Sequence, residues 1–296
     1  MKIGIIGGSG LYDIDGFKDS KKYELDTPFG SPSCEFTGGT FEGREVFFLP
    51  RHGIGHRLMP SEINHRANIF GFKLLGAECI LSVSAVGSLK EELRPRDIVL
   101  PDQYFDRTKS SEGHTFFGDG LVAHISFGDP TCGALRKLAA ETAREVITDA
   151  KDRPDVKVVE GGTYVNMEGP AFSTRAESNT YRSLGFDVVG MTGLPEAKLC
   201  REGEICYQAL AMVTDYDCWK ESEEEVNVEL VIGHLMANSQ LAKAILRKLI
   251  PRIPAERGCS CGRALENAIL TQREHISGRT VEKLEPLVGK YLRAER

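Results

Sequence analysis

The sequence lacks the features that mark membrane proteins, secreted proteins and nucleic-acid-binding proteins. No stretch reaches the roughly 18 apolar residues of a membrane-spanning helix. Met1-Lys2 leads directly into the strand-like Ile3–Gly7, without the apolar core and cleavage site of a signal peptide. The net charge is −6, and no basic face for a nucleic acid is evident. We therefore expect a cytoplasmic protein that binds neither a membrane nor a nucleic acid.

Cysteine, in contrast, is abundant for a cytosolic protein, with eight copies. Six are scattered, and buried cysteine often only fills core space. The other two, Cys259 and Cys261, lie in a glycine-flanked segment near the C-terminus. A close pair can be redox-active or bind a metal, but no CxxC motif or histidine cluster lies nearby, so we expect no zinc site. Stable disulfides are rare in a reducing cytosol, and we expect the pair to be inert or incidental.

Strand-like and helix-like patterns alternate along most of the 296 residues, which is typical of an α/β fold. The pattern predicts strands over Lys2–Gly7, Glu45–Leu49, Glu78–Ser84 and Ile205–Val213. It predicts a long amphipathic helix over Glu224–Leu249. No linker or repeat interrupts the chain, so we expect a single domain.

Two acidic residues follow the strand Ile205–Val213, in the segment Thr214–Trp219. Asp215 and Asp217 point the same way if the extended geometry continues, because side chains alternate along a strand. Ligands of open α/β sheets bind at the carboxyl ends of strands. Paired carboxylates there suit a 6-aminopurine, since one can protonate a ring nitrogen and the other can accept from the amine. A solvated turn is the alternative interpretation.

Three other strand ends carry groups that bind anions. Gly7–Gly10 includes Ser9, and glycine-rich turns bring N–H groups close to an anion. This turn matches neither a dinucleotide-binding fingerprint nor a P-loop. Arg51-His52 and Ser84-Ala85 end the next two predicted strands. Each could be an ordinary turn or surface charge, but together they indicate a phosphate site.

Two further segments offer contacts for a sugar and a base. Phe172 lies in the turn Glu168–Thr174, where it could stack on a base or anchor the core. Met191-Thr192 ends another strand, and methionine packs against sugars and core gaps with equal ease.

In this order, the motifs resemble those of the S-methyl-5′-thioadenosine phosphorylases, which belong to the trimeric class of purine nucleoside phosphorylases. The resemblance runs from about Lys2 to Ile250. It is carried by Gly-Gly-Ser-Gly, Pro-Arg-His-Gly, Glu-Gly-Pro-x-Phe-Ser, Gly-Met-Thr-x-x-Pro-Glu and Thr-Asp-Tyr-Asp-Cys-Trp. It implies a single α/β domain over residues 1–250 with a central mixed, twisted β-sheet flanked by helices. Residues 251–296 would be a C-terminal helical extension with Cys-x-Cys, a motif associated with disulfides in some microbial members.

The resemblance also implies roles for individual residues. Phosphate would be held by Ser9, Arg51, His52, Ser84, Ala85 and Thr192. The nucleoside would be bound by Phe172, Met191, Asp215, Tyr216, Asp217 and His124, with Asp215 as the catalytic acid and His124 reaching across a trimer interface. Substrate specificity would depend on Ser173, Val228, Val231 and Ile232, the last three lining the pocket for the 5′-methylthio group.

The implied reaction is phosphorolysis of S-methyl-5′-thioadenosine, with inorganic phosphate as co-substrate and no metal or organic cofactor. The implied assembly is a homotrimer or a dimer of trimers. One alternative is a purine nucleoside phosphorylase acting on adenosine, inosine, guanosine or methylthioinosine. Such enzymes usually present Asn where Asp215 stands, so the pair of Asp215 and Asp217 favours adenine. A second alternative is a non-catalytic nucleotide-binding or redox-sensing protein that uses Cys259 and Cys261.

Overall fold

The computed structural model describes residues 1–8, 16–110, 112–150, 155–220 and 228–292, with only the backbone of residues 228–232. The strands within these ranges are β1 (Lys2–Gly7), β2 (Lys18–Tyr23), β3 (Phe36–Phe41), β4 (Arg44–Pro50), β5 (Ala77–Ser88), β6 (Ile98–Leu100), β7 (Gln103–Arg107), β8 (Val158–Glu160), β9 (Thr163–Met167), β10 (Val188–Gly190) and β11 (Cys206–Tyr216). The α-helices are α1 (His65–Leu74), α2 (Gly133–Asp149), α3 (Arg175–Ser183), α4 (Gly193–Glu202), α5 (Val228–Leu249), α6 (Gly278–Lys283) and α7 (Glu285–Leu292).

All the described strands belong to one mixed sheet, which confirms the predicted fold class. The main path runs β2-β3-β4-β1-β5-β10-β9-β7, while β11 pairs with β5 and β6, and β6 pairs with β8. Strands β1, β4, β5 and β11 are parallel neighbours. β10 runs antiparallel to β5. Among the described residues, no helix is long and apolar enough to cross a membrane.

The central strand β5 has one continuous edge and one divided edge. β11 pairs along β5 from Cys79 to Ser88. On the other edge, β1 pairs only as far as Ser82, and β10 pairs with Gly87 and Ser88. Among the described residues, the backbone between Ser82 and Gly87 therefore has no strand partner on that edge. Such a break in strand order is where ligands bind in α/β sheets.

Helices cover both faces of the sheet. On one face, α2 and α5 contribute Leu135, Ala139, Leu241, Ile245 and Leu249 to a buried cluster with Ile3 and Ile5 of β1. On the other face, α1, α4 and α7 contribute Ile69, Phe72, Leu199, Leu287 and Val288 to a cluster with Ile6. Alternate residues of β1 thus enter opposite cores, as the alternation of side chains along a strand requires.

Some predicted elements differ from the structure at their ends. Ser61 after Pro60 predicts a helix over Ser61–Leu75 with Ser61 as N-cap. The helix instead begins at His65, because Asn64 caps it by accepting from the Ala67 N–H at 3.0 Å. Strand β5 continues four residues beyond the predicted end at Ser84. Strands β2, β3 and β7 were not predicted, since none of them shows the apolar run of a buried strand.

The C-terminal segment packs on the same cores as the rest of the chain. The pattern beyond Pro251 predicts one more helix over Arg263–Thr271. The structure instead has a 3-10 helix over Ser260–Arg263 followed by a turn. Leu265 and Ala268 are buried in the cluster that contains α1 and α4. The division into a domain of residues 1–250 and an extension of residues 251–296 stays a prediction.

Candidate active site

A cavity of about 530 Å³ opens at the divided edge of β5. Val83, Ser84, Ala85, Val86 and Gly87 form its floor. The rest of the lining comes from Gly8 after β1, the loop after β4, the end of β9 and the loop that follows it, the ends of β10 and β11, and helix α5. The break in the sheet therefore becomes a pocket of the size that small ligands occupy.

Arg51 reaches the cavity from the end of β4 and is 2% exposed. Its Nε donates to Glu196 Oε1 at 2.5 Å, and its Nη1 donates to the Val83 carbonyl at 3.0 Å. Nη2 donates to Ser82 Oγ at 2.6 Å and to Glu196 Oε2 at 3.3 Å. These bonds fix the guanidinium on the break in β5. Among the described residues, the second N–H of Nη1 has no hydrogen-bond partner, so it can donate to an anion in the cavity.

Glu196 was not singled out as a site residue by the sequence. It lies in the first turn of α4 and is 1% exposed. Ser82 and Tyr207 also donate to its Oε2, at 2.6 and 3.0 Å. Although burial opposes ionisation, Arg51 holds the pKa of Glu196 below its ordinary value. An acidic residue in a motif that follows a strand end was the only sequence signal.

His52 is 8% exposed and lines the same cavity. Its Nδ1 lies 2.9 Å from the Leu58 carbonyl, which can only accept, so Nδ1 carries the hydrogen. Burial, together with the nearby Arg51, lowers the pKa of His52 to about 4. The ring is therefore neutral near pH 7, and Nε2 is an acceptor. The sequence predicts that His52 binds phosphate but does not indicate that its ring is neutral.

Ser84, Ala85 and Thr192 complete the described part of the predicted anion site. The Ser84 hydroxyl is buried and has no hydrogen-bond partner among the described residues. Thr192 is the N-cap residue of α4 and 5% exposed, so the positive end of the helix faces the same cavity. Ser9 lies outside the described residues, although its neighbour Gly8 lines the cavity.

Asp215 and Asp217 both line the cavity, as the sequence predicted. The pairing of β11 with β5 shifts between Val213 and Asp215, which leaves Thr214 as an extra residue. The Thr214 hydroxyl donates to Asp215 Oδ2 at 2.6 Å. Burial and the neighbouring Asp217 raise the pKa of Asp215. Asp217 Oδ2 is buried with no partner among the described residues, so it can accept from a ligand.

Gly87 provides the space in front of these carboxylates. A Cβ at Gly87 would lie 3.2 Å from Asp215 Oδ1 and 3.4 Å from Asp217 Cβ. Met191 and Phe172 line the other parts of the cavity. Phe172 is 83% exposed, which excludes the alternative that it anchors the core.

Three predicted site residues do not reach this cavity in the described chain. Tyr216 points to the other side of β11, because side chains alternate along a strand, and its hydroxyl donates to the Glu91 carbonyl at 3.2 Å. Ser173 is buried behind the cavity, where its carbonyl accepts from Cys218 Sγ at 3.2 Å. His124 is exposed, and its backbone N–H donates to Ala268 at 2.8 Å.

Helix α5 lines the cavity with residues that no sequence motif indicated. Leu235, Asn238 and Ser239 face it from the helix. Asn238 Nδ2 donates to the Val213 carbonyl at 2.8 Å, which fixes the helix on the end of β11. The side chains of Val228, Val231 and Ile232 lie outside the described residues.

Comparison with known proteins agrees with this geometry. The family model of the phosphorylase superfamily matches residues 2–251 of this chain. The S-methyl-5′-thioadenosine phosphorylase of Koribacter versatilis is 53% identical over 290 residues, which is 98% of this chain and 96% of that protein. The crystal structure of a methylthioadenosine phosphorylase from an Antarctic soil metagenomic library has a TM-score of 0.90 and 44% identity, with 97% of this chain and 98% of that chain covered.

A second solved structure is more distant in sequence and carries a ligand. The methylthioadenosine phosphorylase of Schistosoma mansoni in complex with adenine has a TM-score of 0.81 and 37% identity, with 90% of this chain and 96% of that chain covered. The fold and the cavity are those of a nucleoside phosphorylase. The chain belongs to the phosphorylase superfamily and, within it, to the S-methyl-5′-thioadenosine phosphorylase family.

Proposed function

We propose that this chain catalyses the phosphorolysis of S-methyl-5′-thioadenosine to adenine and 5-methylthioribose 1-phosphate. The relatives from Koribacter versatilis and Geobacter sulfurreducens, 53% and 51% identical, are phosphorylases of that nucleoside by name. The observation that carries the proposal is one cavity that holds both the carboxylates Asp215 and Asp217 and the anion-binding groups Arg51 and Thr192. These are the groups that a purine and a phosphate need.

In the proposed step, a phosphate oxygen bonds to C1′ of the ribose while the bond from C1′ to the purine N9 breaks. The bonding electrons pass into the purine ring, and Asp215 supplies a proton to N7. The raised pKa of Asp215 supports this role, because a carboxyl must keep its proton to act as an acid near neutral pH. Asp217 accepts from the 6-amino group. The chain mainly positions the reactants and stabilises charge, with no metal or organic cofactor in this step.

Phosphate is held by Arg51, Ser84, Thr192, the β5 backbone at Ala85 and Ser9. Neutral His52 presents Nε2 as an acceptor, so it pairs with a protonated oxygen of hydrogen phosphate. Met191 packs against the ribose, and Phe172 covers the purine from the mouth of the cavity.

The remaining predicted roles also belong to this proposal. We propose that Val228, Val231 and Ile232 line the pocket for the 5′-methylthio group; Leu235, on the same helix, lines the cavity. The exposed position of His124 is compatible with a role at the site of a neighbouring copy in a homotrimer or dimer of trimers. We further propose that the enzyme acts in the cytoplasm, in methionine and purine salvage.

The alternative substrates are the 6-oxo nucleosides inosine and guanosine. A 6-oxo purine presents a carbonyl oxygen where adenine presents an amine. That oxygen and the carboxylate of Asp217 both accept hydrogen bonds, so they could not bond to each other. Asp217 Oδ2, which is buried and has no partner within the described part of the chain, therefore favours the 6-aminopurine. Adenosine differs only at the 5′ position, and the apolar residues of α5 favour the thioether over a hydroxyl.

The test is release of free base from methylthioadenosine, adenosine and inosine, each with and without phosphate. We expect fast, phosphate-dependent release of adenine from methylthioadenosine and little hypoxanthine from inosine. A preference for inosine would contradict the roles of Asp215 and Asp217. Release without phosphate would identify a hydrolase and remove the basis for the phosphate site.

A further inference from the structure

Four of the eight cysteines meet at one point, although the sequence separates them widely. The Sγ atoms of Cys132, Cys206, Cys259 and Cys261 all lie within 4.8 Å of one another. Cys206 and Cys259, 53 positions apart, have their sulfur atoms 3.3 Å apart. Three of these side chains are buried and Cys259 is half-buried. We call this set the cysteine cluster.

The dimensions of the cysteine cluster match those of a tetrathiolate metal centre. In a tetrahedral zinc site, zinc–sulfur bonds of about 2.3 Å place the sulfur atoms about 3.8 Å apart. Sulfur atoms that all lie within 4.8 Å of one another need only small side-chain movements to reach that spacing. Four cysteines from separate segments give the closed ligand set of a structural site.

The surroundings favour thiolates. Cys132 is the N-cap residue of α2, a helix of 17 residues, and helix N-termini stabilise thiolates. The guanidinium of Arg201 lies 3.9 Å from Cys261 Sγ. Zinc with four thiolates carries a net charge of about −2, which the nearby cation and the helix end offset.

A path from solvent reaches the cysteine cluster. A second cavity, of about 350 Å³, is lined by Cys132, Cys206 and Cys259. Lys137, Arg252 and Arg257 line it as well. None of the four cysteines lines the cavity that holds Asp215. The cluster is therefore a separate site.

We propose that the cysteine cluster binds one Zn²⁺ ion as a structural centre. Each thiol releases its proton to solvent, and each sulfur forms one bond to the metal. The ion ties the turn at Cys259–Cys261 to β11 and to the start of α2. This departs from the expectation of no zinc site, because two of the ligands come from Cys132 and Cys206, which only the folded chain brings close. The proposal goes beyond the phosphorolysis reaction and does not depend on it.

The test measures metal on the full-length protein, expressed with zinc in the medium and purified with a thiol reductant and no chelator. Plasma mass spectrometry should find about one zinc per chain. Exchange of the zinc for Co²⁺ should give the visible absorption bands of a tetrahedral cobalt thiolate. The double variant Cys259→Ser, Cys261→Ser should lose the metal. Cys79→Ser is the matched control, since Cys79 is buried beside the cluster but outside it, and it should keep the metal.

The wild-type protein alone can overturn the proposal, even if a variant fails to fold. The proposal is wrong if the purified protein holds far less than one zinc per chain and shows no cobalt bands after addition of Co²⁺. A mass spectrum of protein alkylated at lysis that shows the four cysteines joined as two disulfides would overturn it as well. Chelation of bound zinc should lower the thermal midpoint of unfolding far more than it lowers kcat. A protein that binds zinc and lacks phosphorolysis would overturn the proposed function only.

Discussion

Glu196 holds the guanidinium of Arg51 inside the protein, with bonds of 2.5 Å to Nε and 3.3 Å to Nη2. Both side chains are 2% exposed, and the pair joins the end of β4 to the first turn of α4. A buried charge without its partner is strongly destabilising. The ion pair therefore supports the fold and the proposed phosphate site together.

Substitution of Glu196→Gln should leave Arg51 buried without a counter-charge. We expect the free energy of unfolding to fall by about 3 kcal/mol, the lower end for a broken buried pair, because the amide keeps some hydrogen bonds. The KM for phosphate should rise, since the guanidinium is less well positioned. Urea denaturation and initial rates at varied phosphate measure the two effects.

Glu145→Gln is the control for this experiment. Glu145 pairs with Lys248 and Arg252 on the surface, at 3.1 and 2.9 Å. Exposed pairs of this kind contribute little. Equal losses of stability in the two variants would contradict a special role for the buried pair.

Asp215→Asn should lower kcat by a factor on the order of 10² or more, because an amide cannot supply the proton to N7. The wild-type kcat should fall as pH rises through the raised pKa of Asp215, and the variant should lack this decline. Tyr216→Phe is the control, because Tyr216 faces away from the cavity. Its kcat should match the wild type. If the kcat of Asp215→Asn and its dependence on pH both matched those of the wild type, the role of Asp215 as the acid would be ruled out.

Glu202→Gln should change how stability depends on pH. Glu202 is 5% exposed, and burial raises its pKa from 4.5 to about 7. A folded-state pKa above the unfolded one gives stability that is complete below pH 4.5 and lost as pH rises through about 7. The wild type should lose on the order of 3 kcal/mol across that window relative to the variant.

The carboxylate of Glu202 accepts from the Phe116 N–H and from the Thr115 hydroxyl, each at 2.7 Å. The amide can keep both contacts, because its oxygen can accept from the Phe116 N–H while its NH2 group donates to the Thr115 hydroxyl oxygen. Urea denaturation of both proteins between about pH 5 and pH 8 measures the difference. Parallel curves for the two proteins would show that Glu202 titrates normally.

Gly190→Ala should destabilise the end of β10. A Cβ there would lie 1.9 Å from the hydroxyl of Tyr164, which is fully buried and cannot move aside. We expect a loss of about 1–3 kcal/mol, as for other overpacked cores, and weaker binding because Met191 follows directly. Gly233→Ala is the control, since no atom of the described residues lies within 4 Å of its Cβ position. Thermal melts that agree between Gly190→Ala and the wild type would contradict the close contact.

Local chemistry made part of the site predictable. Asp215, Arg51 and Thr192 each follow an apolar strand, and strand ends of a parallel sheet converge. The sequence context of Phe172 allowed either a contact with the base or a role in the core, and the structure places it at the cavity. Glu196 was missed, because its partner Arg51 lies 145 positions earlier and no local pattern joins them.

The sequence by itself determined the alternation of strands and helices, the family motifs and the residue types at the strand ends, because these depend on contacts between near neighbours. Only the tertiary structure decided the break on the edge of β5, the outward direction of Tyr216 and the meeting of Cys132 and Cys206 with Cys259 and Cys261. These depend on register and packing between segments that are far apart in the chain. Many residues set such contacts jointly, and no short stretch of sequence encodes them.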